Sequence, residues 1–298
     1  MNTERAKNLT IIFLLILNLM LISLLYVMTP RYSITNRQEE AILTLLNQNN
    51  IALNAELIRE FRPMRSLMVS PSTHSVEAIA EAFFGSLLDV QVLEEFDRVF
   101  FIRENGDMVD NLEIQDSFFH IIFGNPWTGS IYNIENKKDA ISLSEEFLKT
   151  IDHLFPDFVF YTITEDEHWG DFIVEYRRVY SDYIVYSDFI RFYIDEFGII
   201  EIDCHYVNIE GFDAVQRVIR PIDEALYSLI FELEELGAFI FGDIAIEGIS
   251  LVYYQSIAGS IEGMASIAMP CYKFYVSIYG WPRTTVIIDA ATVTVIRG

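Results

Sequence analysis

The chain has 298 residues, 52% of them hydrophobic and 14% aromatic, which is ample for a packed core and far too apolar for a disordered tail. Its formal net charge is -24 and no basic stripe runs through it, so it repels phosphate backbones and is unsuited to nucleic-acid binding. The same repulsion acts between the body and an anionic membrane surface.

Residues 1–8 carry Glu4, Arg5 and Lys7 and read as a short charged tail. Residues 9–28, LTIIFLLILNLMLISLLYVM, read as an uncleaved transmembrane helix. Twenty helical residues rise about 30 Å, the depth of a bilayer's hydrocarbon core. The tract runs into Met28-Thr29-Pro30-Arg31-Tyr32 without a small-x-small cleavage site. Arg5 and Lys7 before it are balanced by Arg31 and Arg37 after it, so charge alone leaves the orientation open. Ile11, Leu14, Leu15, Asn18, Leu21, Ile22 and Leu25 share one helical face by i, i+3, i+4 spacing. An amide in hydrocarbon is suited to bonding across to another helix, which makes this face the candidate partner-binding site.

Beyond the helix, two α+β domains are expected, a membrane-proximal one over 29–140 and a C-terminal one over 141–298. Thr35 and Gln38 are spaced as a capping box ahead of Ala41, Leu45 and Leu46. Residues 59–74, with two prolines, read as an irregular connector. Then one plan recurs three times, an amphipathic helix followed by strands closing on a hairpin. The first copy runs from SVEAIAEAFFGSLL to VFFIRENGDMVDNLEI, with Asn105-Gly106 as its turn signal. The second opens at Ser142, with Glu145 three residues on, and the third at Pro221. The fold class expected is α+β: the single N-terminal transmembrane helix, then antiparallel sheets packed with helices in helix-plus-hairpin repeats. In YIVYSDFIRFYI, Ile184, Tyr186, Ile190, Phe192 and Ile194 share a face with Asp188, and Val185, Ser187, Phe189, Arg191 and Tyr193 share the other.

No catalytic or cofactor pattern stands out. The five histidines are scattered at 74, 120, 153, 168 and 205. TEDEHWGD gathers Glu165, Asp166, Glu167, His168 and Asp171, but it lacks EF-hand spacing and reads as a solvated hairpin turn. Cys204 and His205 are adjacent, and on a strand neighbouring side chains point to opposite faces. Cys204 and Cys271 are too few for a disulfide scaffold; buried thiols and a single bridge both remain open. No catalytic residue, metal or cofactor is therefore expected.

The order of features resembles the YycI family, membrane-anchored regulators of the YycG sensor kinase in Gram-positive bacteria, and more loosely the YycH proteins. The residues that carry the resemblance are Phe13 to Leu19, Tyr176 to Ile194, Val218 to Leu229, Ile244 to Tyr254 and Val286 to Ile296. The closing strands also resemble PepSY-type modules: Asp289, Ala290 and Thr292 match their final hairpin, and Val293 stands where that pattern has glycine. The resemblance implies a non-enzymatic regulator with its body outside the cytoplasm. Its implied partners are a sensor histidine kinase and a YycH-like protein, in a hetero-oligomer formed through the helix and the body. The PepSY likeness implies the alternative of an inhibitor or chaperone of an extracytoplasmic enzyme.

Overall fold

A computed structural model of the chain describes residues 7, 11–21, 32–105, 108–130, 133–165, 172–255, 266–279 and 284–297. After the helical run 11–21, its elements in chain order begin with α1 (Asn36–Gln48), β1 (Ile51–Leu53) and β2 (Met64–Pro71). Next come α2 (Val76–Phe84) and β3 (Val90–Glu95), β4 (Arg98–Asn105), β5 (Met108–Gln115) and β6 (Phe118–Trp127). They are followed by α3 (Lys137–Ile151), β7 (Phe158–Glu165), β8 (Phe172–Tyr180), β9 (Tyr183–Ile194), β10 (Ile199–His205) and β11 (Val207–Arg217). The chain closes with α4 (Ile222–Glu235), β12 (Ile244–Tyr254), β13 (Ser266–Ile278), β14 (Thr284–Asp289) and β15 (Val295–Ile296).

Local chemistry accounts for the helix starts. Thr35 and Gln38 form the expected capping box on α1. Ser75 caps α2, which ends at Gly85 with φ 73°. α3 begins five residues before Ser142, because Asn136 accepts from the backbone N–H groups of Lys138 and Asp139 and so supplies the cap. Ser142 thus lies inside the helix, and Ser144 bonds the Tyr176 hydroxyl at 2.9 Å. The hairpins use positive-φ residues, as at Ser181 and Asp182 between β8 and β9. β4 and β5 pair as a hairpin at Asn105 and Met108, and β7 and β8 at Glu165 and Phe172; the turns Gly106–Asp107 and 166–171 lie outside the described residues.

The expected fold is corrected on two counts. First, among the described residues fifteen strands form one mixed sheet, in the order β11-β2-β13-β12-β9-β10-β6-β5-β4-β3 along its main path. β12 pairs in parallel with β1 through Ile51 and Ile244 and with β9 through Tyr253 and Val185. Neighbouring strands are antiparallel where a short loop joins them; the parallel pairs join segments far apart in sequence, for which no local pattern exists. Second, among the described residues no helix is long and apolar enough to cross a membrane. Residues 11–21 are helical, and the remainder of the expected span, residues 9–10 and 22–28, lies outside the described residues.

The segment 59–74 is likewise not a plain connector. Its middle is β2, paired with both β11 and β13, with Ser66, Leu67 and Val69 fully buried. Pro63 precedes the strand and Pro71 ends it, so neither proline interrupts its interior.

Helices pack on one face of the sheet over two cores. In one, Ile222, Ala225, Leu226, Leu229 and Leu233 of α4 and Ile42 and Leu46 of α1 meet Tyr272, Phe274 and Val276 of β13. In the other, Ile79 and Phe83 of α2 and Leu143, Phe147 and Ile151 of α3 meet Val174, Tyr176, Ile190, Phe192, Ile202 and Cys204. Each fully buried large side chain contributes about 1.5–3 kcal/mol. Both cores draw on residues before and after position 140. A bulge where β8 meets β9 divides the expected apolar face of β9. Ile190, Phe192 and Ile194 lie in the second core, while Ile184 and Tyr186 pack with Tyr254 and Met269 in a smaller third cluster.

Candidate functional site

Period-two alternation fixes what the sheet presents away from the helices. Between the core residues Val174 and Tyr176 stands Glu175; between Ile190 and Phe192, Arg191; between Ile202 and Cys204, Asp203; between Phe119 and Ile121, His120. Register places them side by side. Glu113 is opposite His120, His120 opposite Asp203, Asp203 opposite Arg191, and Arg191 opposite Glu175. A row of alternating charge therefore crosses five strands.

The row is tightly bonded. His120 Nδ1 lies 2.7 Å from Asp203 Oδ1, and the Tyr193 hydroxyl donates to Asp203 Oδ2 at 3.0 Å. Arg191 donates to Glu175 Oε2 at 2.9 Å, and Arg177 Nε to Glu175 Oε1 at 2.8 Å. The Asp203 bond, helped by the charges of Asp203, Glu201 and Glu113 and opposed by burial, raises the pKa of His120 above 6.5. Burial alone would raise Asp203, but the bonds from His120 and Tyr193 and the Arg191 charge bring it below its ordinary value. Burial and Asp203 push Glu201 upward.

The donor atoms of His120, Glu201 and Asp203 all lie within 4.8 Å of one another, close enough to hold one metal ion. The expectation of no metal site did not anticipate this grouping. A proton on His120 and the guanidinium of Arg191, 4.0 Å from Asp203, both compete with a cation there.

Beyond Glu175 the row opens into a cleft of about 580 Å³ between β7, β8 and β9 on one side and β12 and β13 on the other. Tyr161, Tyr186, Tyr193 and Tyr275 line it with Ile173, Ile184, Ile249, Thr162, Thr164 and Ser250. Lys273 enters from β13, where it alternates with the core residues Tyr272 and Phe274. Its Nζ lies 4.7 Å from the Tyr161 ring centre and 4.9 Å from that of Tyr186, and it donates to the Tyr161 hydroxyl. Arg177 stacks on Tyr186 from 4.0 Å. Burial lowers the pKa of Lys273 to about 8.

The candidate partner face lies elsewhere. Ile11, Leu14, Leu15, Asn18 and Leu21 are exposed in the helical run 11–21, and Ile22 and Leu25 lie outside the described residues. So does most of TEDEHWGD. Cys204 and Cys271 are both free and buried, in different clusters, so the two thiols are not bridged. His205 faces Asp188 at 3.6 Å while Cys204 turns into the core, as alternation requires. Nothing local marked the charged row. Glu201 and Asp203 alternate in sequence, but only long-range register brings His120, Arg191 and Glu175 to them.

No family model matches the chain, and no curated protein matches it. The solved structures include a similar one, an uncharacterized protein from Eubacterium rectale, with a TM-score of 0.55 and 11% sequence identity. The likeness covers 83% of this chain and 90% of that one. At that identity it establishes a shared fold and nothing about activity.

Proposed function

We propose that this chain is a non-catalytic regulatory protein that works by binding, and that the sheet face away from the helices receives its partner. The observation that carries the reading is the cleft itself. A sheet face needed only for stability would be covered or evenly polar, whereas this one combines tyrosine rings, a bonded charge row and a recess. The YycI-like order of features supports the extracytoplasmic part of a sensor histidine kinase as that partner, with a YycH-like protein as a further member of the complex. Contact through the body takes the place of contact through a membrane helix.

The test is autophosphorylation of a YycG-type kinase in membranes, with and without the full chain. A change in rate that tracks co-purification of the two proteins supports the reading. An unchanged rate together with no co-purification overturns it.

A second reading has one observation in its favour. Val293 adopts φ 55°, the left-handed conformation that glycine favours at the matching position of the PepSY hairpin. Asp289 Oδ1 accepts from the N–H groups of Ala291 and Thr292, shaping the same turn. This supports the inhibitor or chaperone alternative, with an extracytoplasmic enzyme as the partner; capture of such an enzyme by the full chain would favour it over the kinase.

A further inference from the structure

We infer that the tyrosine cleft is a site for a small aromatic carboxylate, held by Lys273 through the anionic group and by Tyr161 and Tyr186 through the ring. This deepens the proposed binding role of the open face and rests on it.

The charge arrangement is the first ground. The cleft lining holds two cations, Arg191 and Lys273, against one carboxylate, Glu175. Both oxygens of Glu175 are engaged, one by Arg177 and the other by Arg191. Lys273 is 7% exposed, yet its one hydrogen bond is to the Tyr161 hydroxyl and no carboxylate is paired with it among the described residues. An ammonium has three donors, so among the described residues two are left without a hydrogen-bond acceptor, with the rings of Tyr161, Tyr186 and Tyr275 4.7, 4.9 and 5.7 Å from Nζ. A buried cation without a counter-ion is costly, and burial alone accounts for the depressed pKa of Lys273. In a chain of net charge -24, a recess with surplus positive charge is a local exception.

The walls set the rest of the ligand. Ile173, Ile184 and Ile249 are apolar, and Tyr161 and Tyr186, packed edge to face with centroids 6.3 Å apart, line the recess with Tyr193 and Tyr275, a wall suited to a flat group. A volume of about 580 Å³ suits a small molecule. Inorganic phosphate would leave the apolar walls unused.

The probes are benzoate, phenylacetate and indole-3-acetate, each beside its uncharged amide, titrated into the full chain by calorimetry. Acids should bind and amides should not. Lys273→Met should weaken acid binding by at least about tenfold. Wild-type affinity should fall by up to about tenfold per pH unit above the Lys273 pKa, as the ammonium loses its proton. This pH series decides the matter even if Lys273→Met fails to fold. Equal binding of acids and amides, no binding of any acid, or acid binding indifferent to pH between 7 and 10 would overturn the inference. Loss of acid binding with kinase co-purification intact would count against this site alone. Acid binding without kinase co-purification would count against the partner reading alone.

Discussion

Asp203 and His120 lie directly opposite each other on β10 and β6, and their side chains meet at 2.7 Å on the open face of the sheet. Each tunes the other: the carboxylate raises the histidine's pKa, and the histidine helps to lower the carboxylate's. Because the folded pKa of His120 is raised, its contribution to stability is full below 6.5 and is lost as pH rises through the folded value. Asp203 has the opposite sign, contributing above its unfolded pKa and losing that as pH falls through its lowered one. The pair therefore stabilises most in the mildly acidic range. NMR titration should place His120 above 6.5, and Asp203→Asn should bring it down; a His120 value at or below 6.5 in the wild type would refute the coupling.

Asp188 is fully buried on β9, with Arg178 at 3.3 Å and His205 at 3.6 Å, and Arg178 also donates to the Val207 carbonyl at 2.6 Å. Removing one partner of such a group strands the other without compensation. Asp188→Ala should cost about 3–5 kcal/mol in urea unfolding. A loss below about 1 kcal/mol would mean that water replaces the carboxylate readily.

Gly124 marks a close approach between β5 and β6. A Cβ there would stand 2.6 Å from the backbone nitrogen of Val109, and Gly124 N–H donates to buried Asp110 at 2.8 Å. Asp110 in turn holds Arg103 through two bonds of 3.0 and 2.7 Å. Gly124→Ala must push backbone apart, so a loss of about 1–3 kcal/mol is expected from thermal unfolding. A neutral substitution would show that the strands separate freely.

What the sequence made legible was local. The capping box at Thr35, the hairpin between β4 and β5 and the apolar stripe of α4 each follow from residues three or four apart or flanking one turn. The parallel pairing of Tyr253 with Val185, and the burial of β2 between β11 and β13, depend on partners far along the chain. Composition hid them too, since the prolines flanking β2 read as breakers while the residues between them are core. The charged row was invisible for the same reason: its five members come from five strands. Asn18, by contrast, is conspicuous in one dimension, because it is a polar residue in an apolar run.

The body should carry the binding. Asn18→Leu in the full chain should therefore leave partner capture unchanged, and, because Asn18 is exposed in the helical run 11–21, the melting temperature as well. Co-purification measured beside wild type is the check, and a loss of capture would return the binding role to the face of Ile11, Leu14, Leu15, Asn18 and Leu21.

The most direct measurement is the dissociation constant of the full chain for the sensor kinase, with the two sides of the sheet varied separately. Thr164→Arg and Ser250→Arg crowd the cleft. Tyr227→Arg and Phe231→Arg change exposed apolar residues on the outer side of α4. The account predicts at least about a tenfold weakening from the cleft pair and little change from the helix pair. Unchanged affinity for the cleft pair with a large loss for the helix pair would contradict it.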